Sequence, residues 1–166
     1  MNYWAEAYEM ADVTLENSIP MWIVYIGFFV LALFVRKKGD KTRRRTGNVL
    51  IGTSIPGLLI SASLLCVFSY IMLKTYSVMS SNGFRSVYDM PDYARLHELA
   101  NGYPITCIFI SLIIIAVMSI VATVCGIVIL ARRAGKTAGI VTLVFGTALF
   151  AFDVWYFTGF MMLMAS

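Results

Sequence analysis

The apolar residues of this chain fall into four long runs that are separated by shorter polar segments. The runs cover residues 19–35, 49–73, 104–131 and 138–164. About 20 apolar residues in a helix cross a bilayer core of about 30 Å, and only the first run is short of that length. None of the runs shows the alternation that is typical of membrane-barrel strands. The pattern predicts an all-α polytopic membrane protein whose four transmembrane helices form two hairpins.

The segment before the first run, residues 1–18, predicts an amphipathic helix that lies on the membrane surface. One stripe recurs at helical spacing and consists of Trp4, Tyr8, Ala11 and Leu15. A second, acidic stripe consists of Glu9, Asp12 and Glu16. Two interpretations stay open: the helix only steers the chain into the first span, or its acidic stripe docks a partner domain or a cation. Ser18 is the expected N-cap of the first span, and Pro20 suits its first turn.

The longest polar segment, residues 74–103, predicts a loop with a short helix of its own. A turn is expected at residues 80–83 and a helix over residues 92–100, which Asn101 and Gly102 terminate before Pro104 opens the third span. The segment is aromatic, so it is expected to fold back on the membrane surface or to contact a partner. Together with the N-terminal segment, it supplies the candidates for partner contact, Trp4, Tyr8, Tyr88 and Tyr93.

Composition supports the membrane class. Hydrophobic residues make up 60% of the 166 residues and charged residues 13%, whereas soluble domains average about 45–50% and about 25%. A single domain of this length has too little interior to hide the surplus, which excludes most soluble folds. No Lys or Arg precedes Arg36. The basic segment that opens a cleavable signal peptide is therefore missing, and we expect the first span to be retained.

The basic residues predict the orientation, because short loops rich in Lys and Arg stay in the cytoplasm. Two clusters occupy the turns at residues 36–48 and 132–137, and their members are Arg36, Lys37, Lys38, Lys41, Arg43, Arg44, Arg45, Arg132, Arg133 and Lys136. Both turns are expected to be cytoplasmic, and both termini and the 74–103 loop extracytoplasmic. The same cations are either topology determinants only or a site for anionic lipid headgroups. The net charge of +4 reflects these turns, and no nucleic-acid partner is expected.

Asp153 is the one acid within a predicted span. An intramembrane carboxylate is costly and usually faces a bundle interior, water or a partner, so Asp153 is the first candidate for function. Three roles are open: a structural pair with Lys74, a proton or ion relay, and a contact with another subunit.

Small residues in the spans are candidates for close helix packing or for gating. They are Gly52, Pro56 and Gly57 in the second span, Ala122 and Gly126 in the third, and Gly146 in the fourth. Proline removes a backbone donor, so a kink near Pro56 is expected. Close packing of the helices is the simpler interpretation, and a cavity or gate at the kink is the alternative.

No arrangement of residues in the sequence predicts catalysis, a cofactor or a metal. The three thiols, Cys66, Cys107 and Cys125, lack redox or zinc-site spacing and are expected to be buried and unpaired. The stretch 134–137, Ala-Gly-Lys-Thr, resembles the end of a phosphate-binding loop, but Leu130 stands where that motif needs its first glycine and no strand precedes it. His97, beside Glu98, is the chain's single histidine; it is interpreted as an ordinary surface residue, with metal binding or proton transfer as the alternative.

Three functions follow as hypotheses. The first is a non-catalytic subunit or accessory protein of a larger membrane assembly, for example a transport or export system. The second is a small transporter or channel that uses Asp153 and the kinked second helix. The third is a lipid-modifying enzyme with His97 and Glu98 as its outer residues. Expected partners are membrane lipids and either other membrane subunits or a second copy of this chain. A bacterial plasma membrane is the expected location, with a eukaryotic membrane as the alternative.

Overall fold

The computed structural model describes residues 3–37 and 40–165. In these ranges four α-helices follow one another: α1 (Tyr3–Lys37), α2 (Lys41–Asn82), α3 (Tyr93–Ala131) and α4 (Lys136–Ala165). A short 3-10 helix, Val87–Asp89, lies between α2 and α3, and these ranges contain no strand. Each of the four α-helices includes a segment long and apolar enough to cross a membrane. The all-α class and the four membrane-length helices are therefore confirmed.

The helix α1 is longer than the sequence pattern predicts. It continues without interruption through Ser18 and Pro20, so the helix start predicted at Ser18 is wrong. The Ser18 hydroxyl donates a hydrogen bond to the Leu15 carbonyl oxygen at 2.7 Å instead of capping a new helix. Serine inside a helix commonly makes this bond to a carbonyl one turn back. The predicted surface helix and the predicted first span are one helix.

The helices α2 and α3 also extend into segments predicted as loops. The helix α2 begins at Lys41, where the Asp40 carboxylate accepts a hydrogen bond from the Arg43 N–H at 3.1 Å as an N-cap. It ends at Asn82, and Gly83 follows with a positive φ of 64°. The turn predicted at residues 80–83 is therefore correct only at Gly83, because residues 80–82 belong to α2. The helix α3 begins at Tyr93 and runs through residues 101–104, so the predicted stop at Asn101–Gly102 is wrong.

Internal contacts divide the chain into two units. The first comprises Met1–Trp22 and Leu59–Phe109, and the second comprises Ile23–Leu58 and Ile110–Ser166. The first unit has a hydrophobic core cluster that joins α1, the C-terminal part of α2, the 3-10 helix and the start of α3. Its buried members are Met10, Ala11, Ile71, Met79, Val87, Met90, Leu96 and Ala100. The N-terminal part of α1 is thus packed against other segments of its own chain.

The face of α1 that packs in the first unit includes Ala11 of the predicted aromatic stripe but not Tyr8. The buried positions recur at helical spacing and are Ala7, Met10, Ala11, Thr14 and Ser18. Most of them are small, which lets neighbouring helices approach closely. Tyr8 is 52% exposed and lies off this face, and the side chain of Trp4 lies outside the described residues. The acidic positions Glu9 and Glu16 are exposed, as the second stripe predicts.

The second unit combines parts of α1, α2 and α3 with α4. Its largest fully buried side chains include Tyr25, Phe28, Leu50, Met118 and Ile129. Phe28 packs at a tilt against Phe145, with ring centroids 6.2 Å apart. This unit contains Asp153, all the small residues singled out from the sequence, and both basic turns.

Candidate functional site

Asp153 lies in the C-terminal half of α4 and is half-buried. Its Oδ1 is buried and has no hydrogen-bond partner among the described residues. A polar oxygen without a partner is costly in an apolar setting, which makes Asp153 the first residue of this unit to consider for function. The Lys74 Nζ lies 3.3 Å from the Asp92 Oδ2 and makes an ion pair within the first unit. The pair of Asp153 with Lys74 stays a prediction.

The stretch of α4 around Asp153 exposes large apolar side chains. Leu149 is buried, but Trp155 is 71% exposed, and Phe150 and Phe157 are also exposed. The ring of Phe152 lies at a tilt to that of Trp155, with centroids 6.2 Å apart, and stacks on that of Tyr156, with centroids 5.7 Å apart. A carboxylate with an unsatisfied oxygen therefore lies in an aromatic surface that its own unit leaves uncovered.

The two glycines predicted for helix packing in α2 differ in what surrounds them. A Cβ added to Gly57 would lie 2.1 Å from the Tyr25 Cε1, so the α2 backbone and the buried Tyr25 ring are in direct contact. A Cβ on Gly52 would meet no atom within 4 Å among the described residues. Gly57 is a packing residue, whereas Gly52 is exposed. The helix is continuous across Pro56, and the kink stays a prediction.

The small residues of α3 and α4 meet each other. A Cβ on Gly126 would lie 2.8 Å from the Leu143 backbone nitrogen, and one on Gly146 would lie 2.8 Å from the Thr123 nitrogen and 3.1 Å from the Ala122 Cβ. Gly139, another small residue of the fourth apolar run, is in similarly close contact with Leu130. The α3–α4 contact thus depends on glycine at three positions.

A further close approach joins α1 and α2 at the first basic turn. A Cβ on Gly47 would lie 2.8 Å from the Arg36 Cβ. Nearby, the Arg43 Nε donates to the Val35 carbonyl oxygen at 3.2 Å and its Nη2 donates to the Phe34 carbonyl oxygen at 3.4 Å. Arg43 therefore caps the C-terminal end of α1, a role that charge counting alone does not reveal.

The remaining cations of the two turns are exposed. Lys37, Lys41, Arg44 and Arg45 belong to the first turn, and Arg132, Arg133 and Lys136 to the second. Lys37, Arg43 and Lys136 line one cavity, and Arg36, Lys37 and Arg44 line an open depression with Leu33. Lys38 lies outside the described residues. Five cations therefore line one of these two recesses, whereas Lys41, Arg45, Arg132 and Arg133 line neither of them.

The partner-contact tyrosines of the first unit lie beside the single histidine. Tyr88 is 58% exposed, and its ring meets the half-buried Tyr93 ring edge-on at 4.9 Å. Tyr93 also stacks on His97 at 5.6 Å, and the His97 ring is within hydrogen-bond distance of the Asn101 amide. A small cavity of about 120 Å³ there is lined by Glu9, Met10, Val13, Tyr88, Tyr93, His97, Ala100 and Asn101. Glu98 is exposed and is not part of that lining.

A buried acid that sequence reasoning missed holds the first unit together. Glu6 is 5% exposed, and its Oε2 accepts a hydrogen bond from the Val87 N–H at 2.9 Å. The bond joins the start of α1 to the 3-10 helix across the core cluster. Glu6 belongs to neither stripe of the predicted surface helix, so the sequence pattern does not single it out. The structure indicates its structural role, because its neighbours Ala7 and Met10 are buried with it.

Replacement of Glu6 by alanine should leave the buried Val87 N–H without an acceptor. Such a loss costs about 1–3 kcal/mol, so we expect faster hydrogen exchange at the Val87 amide and loosening of the 3-10 helix. Glu6→Gln keeps an acceptor oxygen and should retain most of the protection, and Glu9→Ala, on the exposed side of the same helix, is the control. Unchanged exchange at Val87 in Glu6→Ala would contradict this role.

The thiols and acids of the described residues show no grouping that indicates chemistry. All three cysteines are free; Cys107 and Cys125 are buried, but Cys66 is exposed, which corrects the expectation of burial for that residue. No three His, Cys, Asp or Glu side chains of the described residues are placed to hold a metal ion together. No protein-family model, curated protein or solved structure matches this chain.

Proposed function

We propose that this protein is a non-catalytic integral membrane subunit or accessory protein of a larger membrane assembly, such as a transport or export system. The observation that carries the proposal is Asp153, whose buried Oδ1 has no donor among the described residues. The surrounding α4 surface is apolar, aromatic and uncovered, as at Trp155 and Phe157. A subunit that packs on this surface and offers a hydrogen-bond donor or a cation would satisfy the carboxylate and cover the aromatic side chains.

The orientation and topology are part of the same proposal. The helices form two hairpins, α1–α2 and α3–α4, which the close contacts of Gly47 with Arg36 and of Gly126 with Leu143 support. The basic turns lie in the cytoplasm according to the positive-inside rule, and both termini lie outside, in a bacterial plasma membrane. Asp153 then lies toward the outer end of α4, together with the exposed Trp155 that suits the membrane interface.

Removal of the Asp153 carboxylate should weaken assembly. Chain extracted from its native membrane in mild detergent is expected to be recovered with partner chains, in a complex heavier than its own 18.5 kDa. Asp153→Leu should reduce partner recovery by about tenfold, because a charge-assisted bond is worth about 1.5–3 kcal/mol. Asp153→Asn, which keeps a hydrogen-bonding group, should retain part of it. Mass measurement of the purified complex reports both effects.

The matched control is Thr158→Val, which removes a polar atom from the same exposed end of α4. Among the described residues, the Thr158 hydroxyl bonds within its own helix, to the Val154 carbonyl oxygen at 2.7 Å, so partner recovery should be unchanged. A wild-type protein that is recovered alone and monodisperse, or full recovery of partners with Asp153→Leu, would contradict the subunit proposal.

The alternative function is that of a small transporter or channel in which Asp153 relays protons or ions. The same unsatisfied oxygen favours it, because an acid without a protein partner is free to exchange protons or to bind a cation. This proposal requires flux through purified chain in vesicles without any partner, and loss of that flux in Asp153→Asn. Flux that survives the substitution would exclude Asp153 from such a mechanism.

A further inference from the structure

A cavity of about 390 Å³ opens in the second unit where the C-terminal end of α1 and the start of α4 meet. We call it the basic cavity; its lining is Phe34, Lys37, Arg43, Gly135, Lys136, Thr137 and Ala138. Three of these side chains are cationic and none is acidic. Neither Lys37 nor Lys136 has an ion-pair partner among the described residues. The cavity is thus a positively charged recess without a counter-ion in its own lining.

Arg43 is held in a fixed position at this cavity. Its Nε and Nη2 donate to the carbonyl oxygens of Val35 and Phe34, so the guanidinium is anchored to the end of α1. Its Nη1 lies 3.4 Å from the place where a Cβ on Gly135 would stand. A guanidinium that is already ordered loses little conformational entropy on binding an anion, and its planar donors match phosphate oxygens.

The start of α4 adds backbone donors to the same cavity. The Gly139 N–H donates to the Gly135 carbonyl oxygen at 3.0 Å as the first bond of the helix. The amides of residues 136–138 therefore have no partner within the helix. Gly135 cannot cap them because it has no side chain, in contrast to Asp40, whose carboxylate caps α2. An anion in the cavity would take the place of the missing cap.

The cavity also lies at the level where apolar sequence gives way to charge. Phe34 is in the last turns of the first apolar run, and Ala138 opens the fourth. In a membrane-spanning chain this is the depth of the lipid phosphates, so a phosphate ester can reach the cavity from the bilayer as well as from solution.

We propose that the basic cavity is a binding site for a phosphate monoester, with Lys37, Arg43 and Lys136 and the first amides of α4 as its ligands. The chemistry fits the headgroup of phosphatidic acid and soluble phosphate alike. The site goes beyond the subunit function proposed above and does not depend on it. It is also distinct from a phosphate-binding loop, because a helix rather than a strand precedes it.

The test compares cations that line the cavity with cations of the same turns that do not. Full-length protein is placed in vesicles of phosphatidylcholine, with and without phosphatidic acid, and bound lipid is counted by native mass spectrometry. Lys37→Gln combined with Lys136→Gln should weaken phosphatidic acid binding by about tenfold or more, since each substitution removes a charge-assisted hydrogen bond to the phosphate in the cavity. Arg45→Gln combined with Arg132→Gln removes the same charge from exposed positions outside the lining and should change binding less than about twofold.

The outcomes separate the two sources of phosphate and can overturn the site. Phosphatidic acid that binds and is not displaced by inorganic phosphate identifies the lipid headgroup, and displacement by inorganic phosphate identifies soluble phosphate. Equal weakening of binding by the Lys37 and Lys136 substitutions and by the Arg45 and Arg132 substitutions would show diffuse electrostatic attraction only and would contradict the proposed site. The proposal would also be contradicted if neither phosphatidic acid nor inorganic phosphate bound. Elution volume and helical circular dichroism confirm that each variant is folded. The assay needs this chain alone, so a failed partner search leaves its result unaffected.

Discussion

Gly57→Ala is expected to lower the free energy of unfolding by about 1–3 kcal/mol, the range found for overpacked cores. The added methyl would lie 2.1 Å from the Tyr25 Cε1 and 2.3 Å from the Cδ1. Tyr25 is fully buried, so its ring has no open space to move into and α2 must retreat from α1. Unfolding by SDS in mixed micelles, followed by circular dichroism, measures the change.

Gly52→Ala is the matched control because it places the same methyl on the same helix with no atom within 4 Å among the described residues. Alanine favours a helix over glycine by about 1 kcal/mol, so this variant should be as stable as the wild type or more so. Tyr25→Leu removes the opposing ring. The loss of stability caused by Gly57→Ala should therefore be smaller when it is measured against Tyr25→Leu than when it is measured against the wild type. Equal stability of Gly57→Ala and Gly52→Ala would contradict the Tyr25 contact.

Gly52 and Gly57 also show that the sequence identifies candidate packing residues but not which of them makes the contact. Both glycines lie in one apolar run, so composition assigns them the same candidate role in packing or gating. Which of them faces a neighbour depends on the register of α2 against α1, and that register is set by contacts such as Gly47 with Arg36. The apolar runs indicate the lengths of the helices and the fold class. The sequence of a single run does not indicate which of its faces packs against another helix.

The N-terminal segment gives the same lesson for amphipathic patterns. The sequence correctly predicts a helix over this segment, but the aromatic stripe with Tyr8 is not the face that packs. Of that stripe Ala11 is buried, together with Ala7 and Thr14, which lie outside it. A hydrophobicity pattern ranks large apolar side chains highest, whereas helices that pack closely select small ones. A stripe of small residues was the available signal.

Helix boundaries were the least predictable part of the fold. Local rules place a stop at Asn101–Gly102 and a new start at Pro104, yet α3 passes through all three. Buried residues on either side, Ala100 and Cys107, pack on the first unit and outweigh these local preferences. In contrast, the turn at Gly83 was predictable, because glycine is the usual residue just after the end of a helix. The positive φ of Gly83 after α2 agrees with this.

Gly126 and Gly146 should together be the most sensitive positions of the α3–α4 contact. A methyl on Gly126 would lie 2.8 Å from the Leu143 nitrogen and 3.0 Å from its Cα, and a methyl on Gly146 would lie 2.8 Å from the Thr123 nitrogen. The Thr123 Oγ1 would lie even closer to the Gly146 methyl, at 2.6 Å, and its side chain could rotate away. The Leu143 and Thr123 nitrogens are backbone atoms, so no side-chain rotation relieves those contacts and the two helices must separate. Each overpacked site costs about 1–3 kcal/mol. Because one separation of α3 from α4 relieves both clashes, the two costs are coupled, and Gly126→Ala with Gly146→Ala should lose more than either variant alone but less than about 6 kcal/mol.

Thiol labelling gives a local measure of that separation. Cys125 is buried beside Gly126, whereas Cys66 is exposed and serves as an internal reference. In the double variant, a membrane-permeant thiol reagent should label Cys125 faster, with the Cys66 rate unchanged. Gly159→Ala, where a methyl meets no atom within 4 Å among the described residues, is the control on α4. If stability and Cys125 labelling both match this control, the backbone contact does not hold α3 and α4 together. If only Cys125 labelling changes, the helices separate locally while the rest of the second unit retains its packing.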